Sequence, residues 1–202
     1  VTVLWGMTEG AGTTCVPGST RDQLTNTAGA PTAGLELTIL EPADNGIGEL
    51  GMRGPGVFVG YLGQDDLYRG LLTDDGFFRT GDLARLDDEG YLHLTGRLKD
   101  VIIRGGVNIS PMPIEDAIAA HPAVRRVAVI GSSDDRLGER ICAVIVAAGT
   151  PPTLEELNSW LVERGLSTRK LPEELVVVDD MPVTAAGKIR KVVLRRELEE
   201  QA

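Results

Sequence analysis

The chain changes character once, at Lys99, and that change limits what it can fold into more than any other feature. Ahead of Lys99 the sequence is rich in glycine and turn residues between short strand-like runs; behind it, helical and strand patterns alternate. The stretch FRTGDLARLDDEGYLHLTGRLKD, residues 78–100, leads up to the boundary. It sets Asp82 and Arg97 fifteen positions apart on the two sides of an expected hairpin. With 202 residues, 42% of them hydrophobic, the chain can bury a core in each half. The expected organisation is a β-rich part over residues 1–98 and an α+β part over 99–202.

The formal net charge of −10 argues against nucleic acid or an anionic membrane as a general partner, since phosphate-binding surfaces are broadly basic. Lys188, Arg190, Lys191, Arg195 and Arg196 nevertheless form a run without an intervening acid, which fits a solvated cationic helix face. Cys15 and Cys142 lie in unrelated contexts and read as free thiols of a reducing compartment. No apolar run approaches the ~20 residues of a membrane span, and residues 1–10 lack the charged start and apolar middle of a secretory leader. A cytoplasmic protein is expected. The sequence opens without Met inside an apparent strand, which suggests a piece of something longer.

Residues 1–5 alternate as a short strand and run into GMTEG, with Thr8 and Glu9 at its end. A hydroxyl beside a carboxylate suits a magnesium–phosphate site, because Mg²⁺ takes hard oxygen ligands; an ordinary polar loop explains the pair equally. The runs LELTIL, GELGMRGP and VFVGYL predict further strands of a small barrel or antiparallel sheet. Gly46, Gly48 and Gly51 match GxGxxG, but a turn precedes them and no helical pattern follows, so a hairpin is expected there. Residues 65–72 predict a short helix, and residues 78–97 two strands. Asp82 can accept from two vicinal hydroxyls and Arg97 offers a fork of donors; a surface ion pair is the plainer explanation of each. Beyond Lys99, residues 100–109 predict a hairpin turning at Gly105 and Gly106; a group passing close to the backbone and the turn itself explain the glycines equally. Helices are expected over 113–121, 154–164 and 191–199, and strands over 124–131, 141–147 and 175–179. His93 and His121 lack a nucleophile in context and read as structural. Lys188 lies on a glycine turn without the flanking residues of a Walker loop.

Each motif is weak alone, but WGMTE, FRTGD, GRLKDVIIRGGVNISP and MPVTAAGKIRK in this order resemble the adenylate-forming (AMP-binding) superfamily. The acyl-CoA synthetase, or carboxylate-CoA ligase, branch fits best, on the Gly-Gly turn and the NISP segment. The resemblance implies a β-rich, barrel-like tail of a large nucleotide-binding domain followed by a small, mobile α+β carboxyl-terminal domain. It also implies an AMP-forming ligase that activates a fatty, aryl or alicyclic carboxylic acid as its acyl-adenylate and passes it to coenzyme A. ATP, Mg²⁺ and coenzyme A are then the required partners. Trp5 stands where the family more often has a tyrosine that packs against adenine. By the same resemblance Thr8 would contact phosphate and Glu9 would hold magnesium. Leu94 would line the adenine pocket, and Asp82 would bind the ribose hydroxyls with Arg97 beside it. Lys99 would be the hinge, where aspartate is commoner. Gly105 and Gly106 would border the pantetheine channel, and Lys188 would bridge the carboxylate and the α-phosphate.

The chemistry suits these residue types. Adenylation gathers negative charge on a pentacoordinate phosphorus, where a fixed cation is most useful. A hinge then lets one site serve adenylation and thioester formation in turn. The family's Ser/Thr/Gly-rich phosphate loop and most of its acyl pocket are absent from these residues, so the chain is expected to be the carboxyl-terminal part of a longer ligase, with little activity alone. Two alternatives remain open. One is an adenylation domain that serves a carrier protein, and the other a non-catalytic nucleotide-binding or docking module.

Overall fold

The computed structural model describes residues 3–200. The chain divides into two compact units, Val1–Leu98 and Lys99–Ala202.

In the first unit, β1 (Leu4–Met7) and β2 (Gly10–Thr14) form an antiparallel hairpin, and β2 also pairs with the short β3 (Ala30–Pro31). The expected strand over 1–5 is thus displaced towards the chain's interior; residues 1 and 2 lie outside the described residues. Helix α1 (Arg21–Asn26) was not foreseen, although Thr20 and Gln23 form a reciprocal capping box at its start. Four strands, β4 (Glu36–Leu40), β5 (Gly48–Arg53), β6 (Phe78–Leu86) and β7 (Leu92–Arg97), follow one another in an open antiparallel sheet. The barrel-like expectation therefore resolves into two open sheets. The GxGxxG match is a hairpin: Gly46 donates to the Ala43 carbonyl, and Gly48 opens β5. Helix α2 (Asp65–Gly70) lies between β5 and β6.

One expected strand is wrong. In VFVGYL only Val57 makes a bridge, to Gly10, and the rest is loop. Its aromatic residues are taken up by ring packing: the Phe58 ring meets Tyr61, Tyr68 and Phe78 edge-on, at 4.8, 5.1 and 5.3 Å. Val59, which a strand would have used, is 95% exposed. Leu50, Met52, Phe78 and Leu92 form the centre of this unit's core, each worth about 1.5–3 kcal/mol of burial.

In the second unit, β8 (Ile102–Arg104) and β9 (Val107–Ile109) form a hairpin. Gly105 (φ 56°) and Gly106 (φ 80°) both lie in the left-handed region, as a type I′ turn demands. Helix α3 (Met112–Ala119) carries Pro113 in its first turn. The long β10 (Val124–Asp134) and β11 (Gly138–Ala147) pair antiparallel; after α4 (Leu154–Glu163), β12 (Glu174–Val177) joins β11 in parallel, and α5 (Lys191–Glu199) closes the unit. Both β10 and β11 extend further into their connecting turn than expected, because the extra residues are polar and carry no apolar signal. One face of the sheet packs Val129, Ile141 and Ile145 against Ile114, Ile118, Leu157 and Leu161 of α3 and α4. The other packs Ala128, Ile130, Cys142 and Val144 against Met181 and Leu194. Burial on both faces explains the unbroken apolar runs. It also pushes the Cys142 thiol up to about 12, with the neighbouring Glu174 charge adding to the effect. Cys15 is likewise free and buried, in the other unit.

Both histidines serve local structure. The His93 ring spans Asp87 (2.8 Å) and Arg85 (3.2 Å), and His121 Nδ1 accepts the Ala123 N–H at the end of α3.

Candidate functional site

The segment Arg79–Thr80–Gly81–Asp82 departs from regular pairing, and the departure aims Asp82. Across β5, Glu49 faces Leu83 and Gly51 faces Arg79, so Leu50 alone stands opposite three residues. The Thr80 hydroxyl turns inward, donating to the Leu50 carbonyl (2.7 Å) and accepting the Asp82 N–H (3.1 Å). Gly81 takes φ 72°, a conformation that a side chain would strain. Its N–H donates to Glu49 Oε1 (3.1 Å), while Arg79 Nη1 holds Glu49 Oε2 (2.7 Å).

Asp82 is thereby held inside the unit, 5% exposed. Trp5, 7% exposed on β1, donates its indole N–H to Asp82 Oδ2 at 2.9 Å. Arg97, directly across the β6–β7 ladder, places Nε 2.7 Å from Oδ1 and stays 45% exposed along its side chain. A carboxylate has about four acceptor positions, so Asp82 keeps capacity for hydroxyl donors beyond these two partners. Leu94 sits opposite Ala84 in the same ladder, half-buried against this core. Trp5, Asp82, Arg97 and Leu94 are thus gathered in one unit.

Thr8 and Glu9 occupy the turn between β1 and β2, Thr8 exposed and Glu9 half-buried. Glu9 Oε1 accepts from the Tyr61 hydroxyl at 3.0 Å. Burial first, and then this carboxylate, raise the Tyr61 hydroxyl above its ordinary range, which keeps it a donor. Among the described residues no group of three His, Cys, Asp or Glu side chains could hold a metal. A single carboxylate with an oxygen to spare still fits Mg²⁺, which is commonly held by one or two carboxylates together with substrate phosphates and water.

In the second unit, Lys188 is exposed on a tight turn closed by a Val183–Ile189 bridge, and its own N–H donates to the Thr184 hydroxyl (3.2 Å). Among the described residues it makes no ion pair. The base of the turn is anchored: Lys191 Nζ lies 2.7 Å from Glu115 Oε1, and Met181 and Leu194 are buried. Lys191, Arg195 and Arg196 each have an acid within reach (Glu115 at 2.7 Å, Glu139 and Glu200 at 3.9 Å), so the solvated cationic face expected there is partly neutralised. Gly105 and Gly106 are exposed, and the Gly105 N–H donates to the Leu137 carbonyl (2.7 Å). Lys99 is exposed in a short 3₁₀ turn, Leu98–Asp100.

Sequence reading missed Glu49, Thr80 and Tyr61. Gly-Glu-Leu-Gly and Thr-Gly-Asp are visible strings, but nothing local says that one clamps the other. Tyr61 carried only a strand signal. Among the described residues no helix is long and apolar enough to cross a membrane, which says nothing of a β-barrel.

Comparison with known proteins gives the family. Residues 1–62 match the model of the AMP-binding enzyme family, and residues 113–188 match that of the AMP-binding enzyme C-terminal domain. A medium-chain fatty-acid–CoA ligase of Escherichia coli is 38% identical over 180 residues, covering 86% of this chain and 32% of the ligase. A salicyl-AMP ligase / salicyl-S-ArCP synthetase of Mycobacterium tuberculosis is 43% identical over 151 residues, covering 75% of this chain and 27% of the relative. ATP-bound MatB from Rhodopseudomonas palustris superposes with a TM-score of 0.88 at 33% identity, covering 98% of this chain and 41% of that one. The chain therefore spans roughly a third of the length of such relatives. It belongs to the adenylate-forming family of AMP-binding enzymes.

Proposed function

We propose that this chain is the carboxyl-terminal share of a cytoplasmic, AMP-forming carboxylate–CoA ligase, with a hinge at Lys99 between domains 1–98 and 99–202. The observation that carries the nucleotide part is the meeting of Trp5, Asp82 and Arg97, from three separate strands, on one buried carboxylate. On this reading Asp82 accepts hydrogen bonds from the ribose hydroxyls, its two existing partners fixing its orientation in advance. Arg97 lies at the same sugar, and Trp5 and Leu94 border the adenine. Thr8 touches phosphate. Glu9 holds a magnesium ion, which when bound neutralises phosphate charge. Lys188 carries a compact positive charge on a long stem to the α-phosphate and the acid's carboxylate oxygen during adenylation. As pyrophosphate leaves and the thiol of coenzyme A enters past Gly105 and Gly106, rotation about Lys99 withdraws that lysine.

Coenzyme A is favoured as the acceptor by the medium-chain fatty-acid–CoA ligase similarity. A carrier-protein-bound pantetheine is the second reading, favoured by the salicyl-S-ArCP synthetase similarity. The test is acid-dependent pyrophosphate release by the full-length protein with a panel of fatty and aryl acids, followed by thioester assay with free coenzyme A and with carrier protein. Release with thioester formed only on coenzyme A is the expected result. Thioester formed only on carrier protein selects the second reading. Nucleotide binding without any adenylate leaves a non-catalytic module. The 202-residue chain alone should turn over little or not at all; robust release by it would overturn the partial-ligase assignment.

A further inference from the structure

The loop at residues 57–61, which forms no ladder of its own, closes on the Glu9 turn at two levels. The Phe58 N–H donates to the Glu9 carbonyl at 2.8 Å, and the Tyr61 hydroxyl donates to Glu9 Oε1 at 3.0 Å. The loop is itself braced from inside. The Tyr61 ring packs edge-on against Phe58 at 4.8 Å, and Phe58 packs in the same manner on Tyr68 and Phe78, the latter almost fully buried. The hydroxyl position is therefore set by the aromatic core, fifty-two residues along the chain from the carboxylate it meets.

We propose that Tyr61 is a positioning residue that presents Glu9 to the divalent cation accompanying the nucleotide; this rests on the role given to Glu9 above. A glutamate on a turn has three side-chain torsions, and a half-buried one without a partner would spread over several rotamers. The tyrosine occupies one oxygen and so fixes the rotation of the carboxylate, leaving Oε2 as the metal-facing atom. Partners of this kind behind a metal ligand commonly change metal affinity by about 10–100-fold when removed.

The experiment uses the full-length protein with Tyr61→Phe, which keeps the ring and its packing and removes only the hydroxyl. Calorimetry measures ATP affinity with saturating Mg²⁺ and with chelator, and AMP affinity with chelator. The expected result is a loss of about tenfold in the Mg²⁺-dependent gain in ATP affinity, with metal-free AMP affinity unchanged and stability lowered by no more than the net contribution of one hydrogen bond. In a Glu9→Gln background, Tyr61→Phe should have no further effect, because the two side chains act as one unit. An unaltered Mg²⁺-dependent gain in Tyr61→Phe overturns the positioning role while leaving the nucleotide site standing. An equal fall in metal-free AMP affinity overturns it too, by showing that the loop supports the whole site. If the unmodified protein binds neither nucleotide, the proposed function fails and this inference fails with it.

Discussion

Asp82 and Lys188 are built in opposite ways. The carboxylate is buried, set at a strand irregularity and gripped by Trp5 and Arg97 from two other strands. The lysine is exposed on a turn closed by hydrogen bonds within residues 182–190, and it makes no ion pair among the described residues. Preorganising a carboxylate costs desolvation, which its partners offset, and the reward is a geometry that needs no adjustment when a ligand arrives. A lysine kept in water carries no such cost and is not locked to a partner that it would have to leave. On the proposed reading the first arrangement suits a sugar held through both half-reactions. The second suits a cation needed for one of them.

The contrast is broken or upheld most sharply by Lys188→Ala in the full-length protein. Adenylation, followed as pyrophosphate exchange, should fall about 10²–10³-fold, equivalent to ~2.7–4 kcal/mol of lost transition-state stabilisation. Stability should stay within about 0.5 kcal/mol, since an exposed side chain without a partner is removed. Thioester formation from supplied acyl-adenylate should survive. Equal loss of both steps would show that the lysine is a fixed part of the site and not a visitor to it.

Asp82→Ala should do what Lys188→Ala does not and cost stability. It leaves the buried Trp5 indole N–H without an acceptor and Arg97 without its carboxylate, a loss of about 1–3 kcal/mol. Urea unfolding should show that loss, and AMP affinity should fall with it. A variant with unchanged stability but weakened AMP binding would mean that the clamp is assembled by the ligand.

The same contrast governs what was legible beforehand. The hairpin of β6 and β7, the Gly105–Gly106 turn and the amphipathic α4 follow from local pattern, and each was expected within a few residues of its place. Asp82 and Arg97 are placed on one hairpin by a pattern that sequence shows, but they face each other only because a bulge between Leu83 and Ala84 shifts the register that the turn sets, and nothing local announces it. The Trp5–Asp82 bond spans seventy-seven residues and depends on which way an indole points inside a core, which no local string records. The 57–61 loop was misread for a related reason. Val, Phe and Tyr satisfy a strand template, yet the rings are used for packing and the Phe58 N–H is already committed to Glu9. The ion pairs of Lys191 and Arg195 were hidden too, since their partners Glu115 and Glu139 are far from them in sequence.

The smallest effect separates a carboxylate used for folding from one used for binding. Glu173 in the second unit is held as closely as Asp82: Arg104 donates through Nη2 (2.7 Å) and Nε (2.9 Å), and the Ile141 N–H adds a third bond at 3.1 Å. No sequence feature gives it a ligand. The Arg104 guanidinium holds its pKa below the ordinary value, burial opposes this, and the Ile141 N–H helps. A depressed carboxylate pKa means that the unfolded chain binds the proton more readily. The stabilisation is therefore complete above the unfolded value of about 4.3 and is lost as pH falls through the lower folded value. With the side chain 31% exposed, solvent screening limits the pair to about 1 kcal/mol. Glu173→Gln should lower stability by that amount at pH 7, and urea titrations at successively lower pH should find the two proteins converging below pH ~4. Nucleotide affinity should not change at any pH. Persistence of the gap in acid would mean that shape and neutral hydrogen bonds, rather than charge, hold Arg104 in place.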